Sequence, residues 1–304
     1  MRVLADRFGR TFPYLRLSVI EACNFRCSYC LPAGYRAVPG RPAALEIDEI
    51  ARLLRAFASV GMRKLRITGG EPSLRKDLTE IITTAASIPG IEKIGLTTNG
   101  CLLDRRVEAW RAAGLTHLNV SVDALERERF ARITGHDRLD ETLAGIDRAL
   151  ALDYASVKLN AVLLRDLNDD QLPAWFGYLR ERPLALRFIE LMRTGDNPDY
   201  FARHHLRAEA LEQSLLDGGW RLMPRADVIA PYSKDFCVGC NRLRVTAQGD
   251  LRLCLFGNIG IPLRPLLQSD NDHEALVARL YGQLGLKALG HGLHMGETGM
   301  TANL

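Results

Sequence analysis

Six of the seven cysteines in this chain fall into two groups of three: Cys23, Cys27 and Cys30 near the start, and Cys237, Cys240 and Cys254 near the end. A tetrahedral metal site built only from protein wants four ligands, so a trio leaves one coordination position for something else. Each trio therefore predicts an iron-sulfur cluster with one iron open to an outside ligand.

The first trio is a C-x3-C-x2-C pattern directly after the apolar run Leu15–Ile20, a strand by its branched content. Thiolates at this spacing share one tight loop and can wrap three corners of a cubane. Structural zinc is the competing reading, but it needs a fourth ligand, and the nearest histidine in sequence is His117. The second trio, C-x2-C-x13-C, is a looser signal because C-x2-C pairs also build zinc ribbons. No histidine lies between His205 and His273, so zinc there would draw on distant sequence or on Asp235 or Asp250. An odd cysteine count, no apolar leader and a 304-residue chain that can build its own core all argue against disulfides. They indicate a reducing cytoplasm. Cys101, in Thr98-Asn99-Gly100-Cys101, reads as a small, partly buried residue outside both sites.

The elements that must position these residues are visible as alternating patterns. Strand-like runs cover Leu15–Ile20, Leu65–Thr68, Ile94–Thr97, His117–Val122, Ser156–Leu163 and Leu184–Leu191. Between them, Glu46–Val60, Lys76–Ala86, Arg105–Ala113, Leu139–Leu152 and Gln171–Arg180 carry apolar residues at helical spacing. Six such units predict a parallel α/β sheet with crossover helices and chemistry at the carboxyl ends of the strands. That face would receive Cys23, Gly69-Gly70-Glu71-Pro72, Thr97-Thr98-Asn99 and Ser121-Val122-Asp123 together. Beyond Leu191 the pattern changes to a helical stretch near His205–Leu216, then Gly218-Gly219. Strands around Arg242–Thr246 and Leu251–Cys254, joined by the turn Ala247-Gln248-Gly249-Asp250, place the second trio on a hairpin appendage.

With 47% hydrophobic residues the chain can form one large domain and an appendage, and no stretch has the apolar length of a membrane span. Forty basic residues against thirty-six acidic ones exclude a general nucleic-acid binder while allowing a local anion site. Arg242 and Arg244 mark one candidate. Two apart on a strand, both project from one face, and neighbouring guanidiniums repel unless an anion lies between them. A solvated arginine face is the ordinary alternative for either residue alone.

The first trio with Tyr29 inside it, together with Thr68-Gly69-Gly70-Glu71-Pro72, resembles the radical S-adenosylmethionine enzymes. Adding Asp235-Phe236-Cys237-Val238-Gly239-Cys240-Asn241-Arg242-Leu243-Arg244 and Cys254 narrows the resemblance to the GTP 3′,8-cyclases, which open molybdenum cofactor biosynthesis. It runs from Tyr14-Leu15-Arg16 through Phe188-Ile189-Glu190-Leu191-Met192 to Gly299-Met300-Thr301-Ala302-Asn303-Leu304. It implies a partial (β/α)6 TIM-type barrel over residues 1–217 and a C-terminal region, 218–304, carrying the second cluster. It also implies two 4Fe-4S clusters and S-adenosylmethionine as cofactors.

By the same resemblance Tyr29, Gly70, Ser121 and Met192 help hold S-adenosylmethionine, and Arg16, Arg66, Thr97, Lys158, Arg242 and Arg244 contact GTP, whose guanine meets the free iron of the second cluster. Gly70 has a rationale of its own: lacking a side chain, it lets a ligand approach the backbone. The implied reaction is conversion of GTP to (8S)-3′,8-cyclo-7,8-dihydroguanosine 5′-triphosphate, started by a 5′-deoxyadenosyl radical that takes the C3′ hydrogen. An electron donor and a downstream cyclic pyranopterin monophosphate synthase are the implied partners; whether the chain forms a homodimer is left open. Two departures are plain: family members end in a Gly-Gly tail where this sequence ends at Asn303-Leu304, and the Trp220 to Cys237 segment is short. The expectation is that both cluster sites survive while turnover is impaired. A non-catalytic cluster protein that binds S-adenosylmethionine or GTP, and a peptide-modifying radical enzyme with an auxiliary cluster, are the alternatives. His204, His205, His273, His291 and His294 read as solvated or helix-end residues.

Overall fold

Alternate residues of β1 (Tyr14–Ser18) and β5 (Ser156–Leu163) are apolar and buried, Leu15 and Leu17 on β1 and Val157, Leu159, Ala161 and Leu163 on β5, and most of the residues between are polar. This alternation gives the sheet an outer face that packs on helices and an inner face that is polar. The computed structural model describes residues 3–194, 197–217, 226–233, 236–257 and 260–290.

The six expected strand-helix units are present. After β1 come α1 (Ile47–Ser59), β2 (Lys64–Thr68), α2 (Leu78–Ser87), β3 (Lys93–Thr98), α3 (Leu103–Ala112) and β4 (His117–Ser121). The chain continues through α4 (Arg127–Thr134), α5 (Leu139–Leu150), β5, α6 (Leu172–Arg180), β6 (Ala185–Glu190), α7 (Pro198–His204) and α8 (Ala208–Asp217). It ends with β7 (Ala226–Ile229), β8 (Arg242–Val245), β9 (Asp250–Arg252), β10 (Ile261–Pro262) and α9 (His273–Leu284). The helices form for the expected reason: α1 places Ile50, Leu53, Leu54 and Phe57 on one buried stripe, and Glu49 accepts the Glu46 N–H at 2.8 Å at its first turn. Helices α4 and α7 escape the helical pattern because they are short or polar, while α9, also outside the expected elements, buries Leu276, Leu280 and Leu284 at helical spacing.

Among the described residues the strands form one sheet in the order β10-β9-β8-β1-β2-β3-β4-β5-β6-β7. From β8 to β7 all neighbours are parallel, while β9 and β10 run antiparallel. The hairpin expected as an appendage is thus hydrogen-bonded to the barrel strand β1, with Arg16 the register partner of both Arg66 and Arg244. The sheet is strongly curved. Strands β1 and β6 are five places apart, about 24 Å if the sheet were flat, yet the charge of Arg187 on β6 acts on Arg16 of β1. Curvature turns the polar face into a lumen.

Candidate active site

The first cysteine trio sits on the loop that leaves the carboxyl end of β1. That loop is held from two sides. From one, the last carbonyls of α4 accept: Arg26 N–H donates to Thr134 O at 3.0 Å and Ser28 N–H to Ile133 O at 2.8 Å. From the other, the turn after β2 is zipped to the strand exit, Gly70 N–H to Ile20 O at 2.8 Å and Glu71 N–H to Ala22 O at 2.8 Å. Within the loop, the Cys30 and Leu31 N–H groups donate to Cys27 O at 2.9 and 3.0 Å. Burial pushes the Cys23 and Cys27 thiols up, and the charge of Asp123, then those of Cys30 and Cys23, push Cys27 further. Such thiols become thiolates only when a cationic centre takes them, which is the chemistry of a cluster ligand set.

Each residue expected beside that cluster lies at the same end of the barrel. The Tyr29 hydroxyl donates to Asp123 Oδ2 at 2.8 Å, and Asp123 Oδ1 accepts the Val162 N–H at 2.8 Å. Burial raises the Asp123 carboxyl to about 6 against the pull of these two donors. Ser121 ends β4, and the Met192 carbonyl, just past β6, accepts from Asn197 Nδ2 at 3.3 Å. The same Asn197 amide donates to Tyr29 O at 2.9 Å, coupling the Met192 segment to the cysteine loop. Gly70 has a packing rationale as well as the one its sequence suggests. A Cβ there would lie 2.3 Å from the carbonyl oxygens of both Glu21 and Ala22, so the backbone that needs the space is the chain entering the cysteine loop. Glu71, expected at this face but without a role, is buried. Its Oε1 accepts from Ser73 N at 2.9 Å and Thr98 Oγ1 at 2.7 Å, and its Oε2 from Asn99 N at 2.6 Å, clamping the end of β3 beside the loop.

The lumen is basic. Strand register sets Arg244, Arg16 and Arg66 side by side across β8, β1 and β2. Burial, and then the charges of Arg16 and Arg242, bring the Arg244 guanidinium down to about 9. Burial and the neighbouring Arg66, Arg242 and Arg187 lower Arg16 as well, with only Tyr14 opposing. Arg66 donates to Leu96 O at 3.0 Å and to the Tyr14 hydroxyl at 3.3 Å. Lys158 stands on the polar side of β5 and is felt at His117 and Lys64. Burial and four cations around it, Arg66, Lys64, Lys93 and Lys158, hold the His117 imidazolium down to about 4. Arg16 Nε, Arg242 Nε and Thr97 Oγ1 are buried with no hydrogen-bond partner among the described residues. Buried donors without acceptors beside like charges describe a chamber shaped for a polar anion.

The two trios stand at opposite mouths of this chamber. Cys23 follows the carboxyl end of β1, whereas Cys240 precedes the amino end of β8, which runs parallel to β1. Cys254 follows the antiparallel β9 and so returns to the Cys240 end. Between the mouths runs a five-residue strand, about 17 Å. Cationic side chains bind the second loop: Arg10 Nη1 donates to Cys237 O at 2.9 Å, and the buried Lys287 ammonium donates to Leu253 O.

All the expected site residues are therefore brought to one lumen and its two ends. The structure adds Tyr14, Lys64, Asn160, Arg187 and Arg252, each a polar residue on the inner side of its strand. Alternation within each strand could have found them. Cys101 lies outside both trios, its sulfur 3.6 Å from Ser73 Oγ. His205 follows the last residue of α7, as the helix-end alternative expects, and is buried, its Nε2 2.8 Å from Glu190 Oε1 and its ring stacked on Phe201 at 4.3 Å. Asp235, Gly218-Gly219, most of the short segment after Trp220, His291, His294 and the final Asn303-Leu304 lie outside the described residues.

Comparison with known proteins agrees with this geometry. The family model described as the radical SAM superfamily matches residues 17–179, and the one described as Molybdenum Cofactor Synthesis C matches residues 223–293. A GTP 3′,8-cyclase of Stenotrophomonas maltophilia (strain R551-3) is 63% identical over 100% of this chain and 98% of its own length. One of Vibrio cholerae serotype O1 (strain M66-2) is 50% identical, covering 98% of this chain and 95% of that protein. Among solved structures, Streptococcus suis SuiB bound to S-adenosylmethionine superposes with a TM-score of 0.64 at 14% identity, covering 90% of this chain and 66% of that one. The anSMEcpe structure with bound AdoMet superposes at 0.59 and 14% identity, over 86% and 82% of the two chains. These two likenesses bear on the fold, which is the radical S-adenosylmethionine partial barrel. With both family models and full-length relatives in agreement, the chain belongs to the GTP 3′,8-cyclase family of radical S-adenosylmethionine enzymes.

Proposed function

We propose that the basic lumen is the substrate chamber of a GTP 3′,8-cyclase, with one 4Fe-4S cluster at each mouth. Cys23, Cys27 and Cys30 hold the first cluster, and Cys237, Cys240 and Cys254 the second. Residues 1–217 form the radical-generating unit and residues 218–304 the unit that carries the auxiliary cluster. The observation that carries this reading is the register row Arg244, Arg16 and Arg66, desolvated, with a buried Nε on Arg16 that has no partner.

When bound, the first cluster and S-adenosylmethionine would supply the radical chemistry that removes the C3′ hydrogen of GTP as 5′-deoxyadenosine, and the C3′–C8 bond of the dihydro product would be completed by one further electron from the external reductant and a proton. The chain's own residues position and exclude. Tyr29, Gly70, Ser121 and Met192 line the carboxyl-end mouth where S-adenosylmethionine would lie. Arg16, Arg66, Lys158, Arg242 and Arg244 offer planar or point-charge donors for the triphosphate, and Thr97 Oγ1 offers a hydroxyl for the nucleoside. Their placement between the mouths would set the ribose toward the first cluster and the guanine toward the second. The helices outside the sheet keep water and oxygen from a reactive carbon centre.

The test is 5′-deoxyadenosine formation by anaerobically reconstituted protein with reductant and S-adenosylmethionine, with and without GTP. GTP-dependent formation with a cyclised nucleotide is the expected result. Deoxyadenosine without nucleotide conversion would defeat the reading of the lumen and favour another substrate.

A further inference from the structure

Strand β9 brings a fourth arginine to the row. Arg252 is the register partner of Arg244 across the antiparallel β8–β9 ladder. Directly opposed residues project from the same face, so Arg252 stands on the lumen side with Arg244, Arg16 and Arg66. Its Nη1 donates to Gly257 O at 3.0 Å, which fixes the plane of the guanidinium. Its Nε, like those of Arg16 and Arg242, is buried and has no hydrogen-bond partner among the described residues. Among the described residues Arg252 makes no ion pair, so no described carboxylate cancels its charge.

A guanidinium held by one of its nitrogens, with a second desolvated beside another guanidinium, is poorly placed for a surface or packing role. A solvated arginine would turn its Nε to water; a structural one would satisfy it. Both costs vanish if one multivalent anion accepts from Arg252 and Arg244 together. Neutral guanine could accept a hydrogen bond from Arg252 but would leave the repulsion between the two cations in place.

We infer that Arg252 is a further substrate-contacting residue, donating through Nε to the polyphosphate of the bound nucleotide alongside Arg244. The inference rests on the lumen being the GTP chamber. Arg252 lies two residues before Cys254, so its role is to be separated from the stability of the second cluster.

The experiment uses reconstituted holoprotein, wild type and the variants Arg252→Gln and Arg252→Lys, with iron and sulfide measured on each. Dissociation constants for GTP and for guanosine are read by anaerobic equilibrium dialysis, at several salt concentrations. Loss of one charge-assisted contact predicts GTP binding weaker by about tenfold in Arg252→Gln, with guanosine unchanged and partial recovery in Arg252→Lys. The salt dependence of GTP binding should flatten in Arg252→Gln, and KM should rise more than kcat falls. Equal GTP affinity in wild type and Arg252→Gln would overturn the inference while leaving the chamber intact. So would a parallel loss of GTP and guanosine, or iron lost from the second site, since either assigns Arg252 to guanine or to the Cys254 loop. Absence of GTP binding by the wild type itself would overturn the reading of the chamber and this inference with it.

Discussion

Gly95 lies directly under the guanidinium of Arg66: a Cβ at that position would come 2.6 Å from Arg66 Cζ and 2.7 Å from its Nη1. The two are register partners on β2 and β3, so the absence of a side chain on one is what lets the other lie across the sheet and donate to Leu96 O. Gly95→Ala should therefore displace Arg66 without touching either cysteine loop. GTP affinity should fall roughly tenfold, the worth of one charged contact, while S-adenosylmethionine affinity holds. Equal losses for both ligands would show that the substitution disturbs the sheet as a whole.

Gly70 presents a harder obstacle, because the atoms a Cβ would strike are backbone carbonyls of Glu21 and Ala22, which have nowhere to rotate. Gly70→Ala should push the chain away just before Cys23. The expected result is loss of one cluster, about four irons per chain, with the electron paramagnetic resonance signal of the second site retained. Full iron content at both sites would count against the close packing seen here.

Glu71 accepts from two backbone N–H groups and one hydroxyl while buried, so all its partners are donors. In Glu71→Gln the new NH2 must face one of them. The expected cost is about 2 kcal/mol of stability, read as a lowered midpoint in denaturant with unchanged slope. A variant as stable as the wild type would mean that the clamp contributes little.

The strands, their order from β1 to β6 and the cysteine loop were legible because each depends on local pattern. The lumen was legible only in part. Parity on β8 singled out Arg242 and Arg244, and the same reasoning on β1, β5 and β6 points to Tyr14, Asn160 and Arg187. A strictly alternating strand such as Ser156–Leu163 inside a parallel, helix-covered sheet is itself informative, since such strands are usually apolar on both faces. Its polar side has to face a cavity. What no local pattern reveals is the pairing of β8 with β1, 228 residues apart by the Tyr14 to Arg242 register, and it is that pairing that makes a row of the arginines. The packing of Gly70 against Glu21 and Ala22 was hidden for the same reason, because the chain that fills its space is distant in sequence.

His117 reports the potential of the chamber. Burial and the surrounding cations hold its imidazolium down to about 4, below the ordinary 6.5. In the unfolded chain His117 gains a proton as pH falls through 6.5, but in the native protein only near 4. The unfolded state therefore binds more protons between these values, and native stability drops as pH falls across that window. His117→Gln removes this dependence. Thermal midpoints of wild type and variant should converge as pH is lowered from 7 to 4.5, with the wild type losing more. Parallel curves would place His117 outside the field of the arginines.

The second trio depends on charges supplied from far along the chain. Arg10 donates to Cys237 O at 2.9 Å and to Ala288 O and Leu289 O at 2.7 and 2.9 Å, and its charge is balanced by the buried Asp6 at 2.7 Å. Lys287, 4% exposed, donates to Leu253 O beside Cys254 and lies 5.3 Å from the centre of the Phe12 ring. The two cations hold the carbonyl of Cys237 and the carbonyl before Cys254, both proposed cluster ligands, so their loss should loosen the sulfurs without altering them. Arg10→Gln strands the Asp6 carboxylate and should cost about 3 kcal/mol of stability, whereas Lys287→Met keeps the apolar stem in place. Lys287→Met is thus the cleaner probe: iron should be lost from the second site alone, with S-adenosylmethionine binding at the first unchanged. If both sites kept their iron and the potential of the second were unmoved, the lysine would serve packing against Phe12 and nothing more.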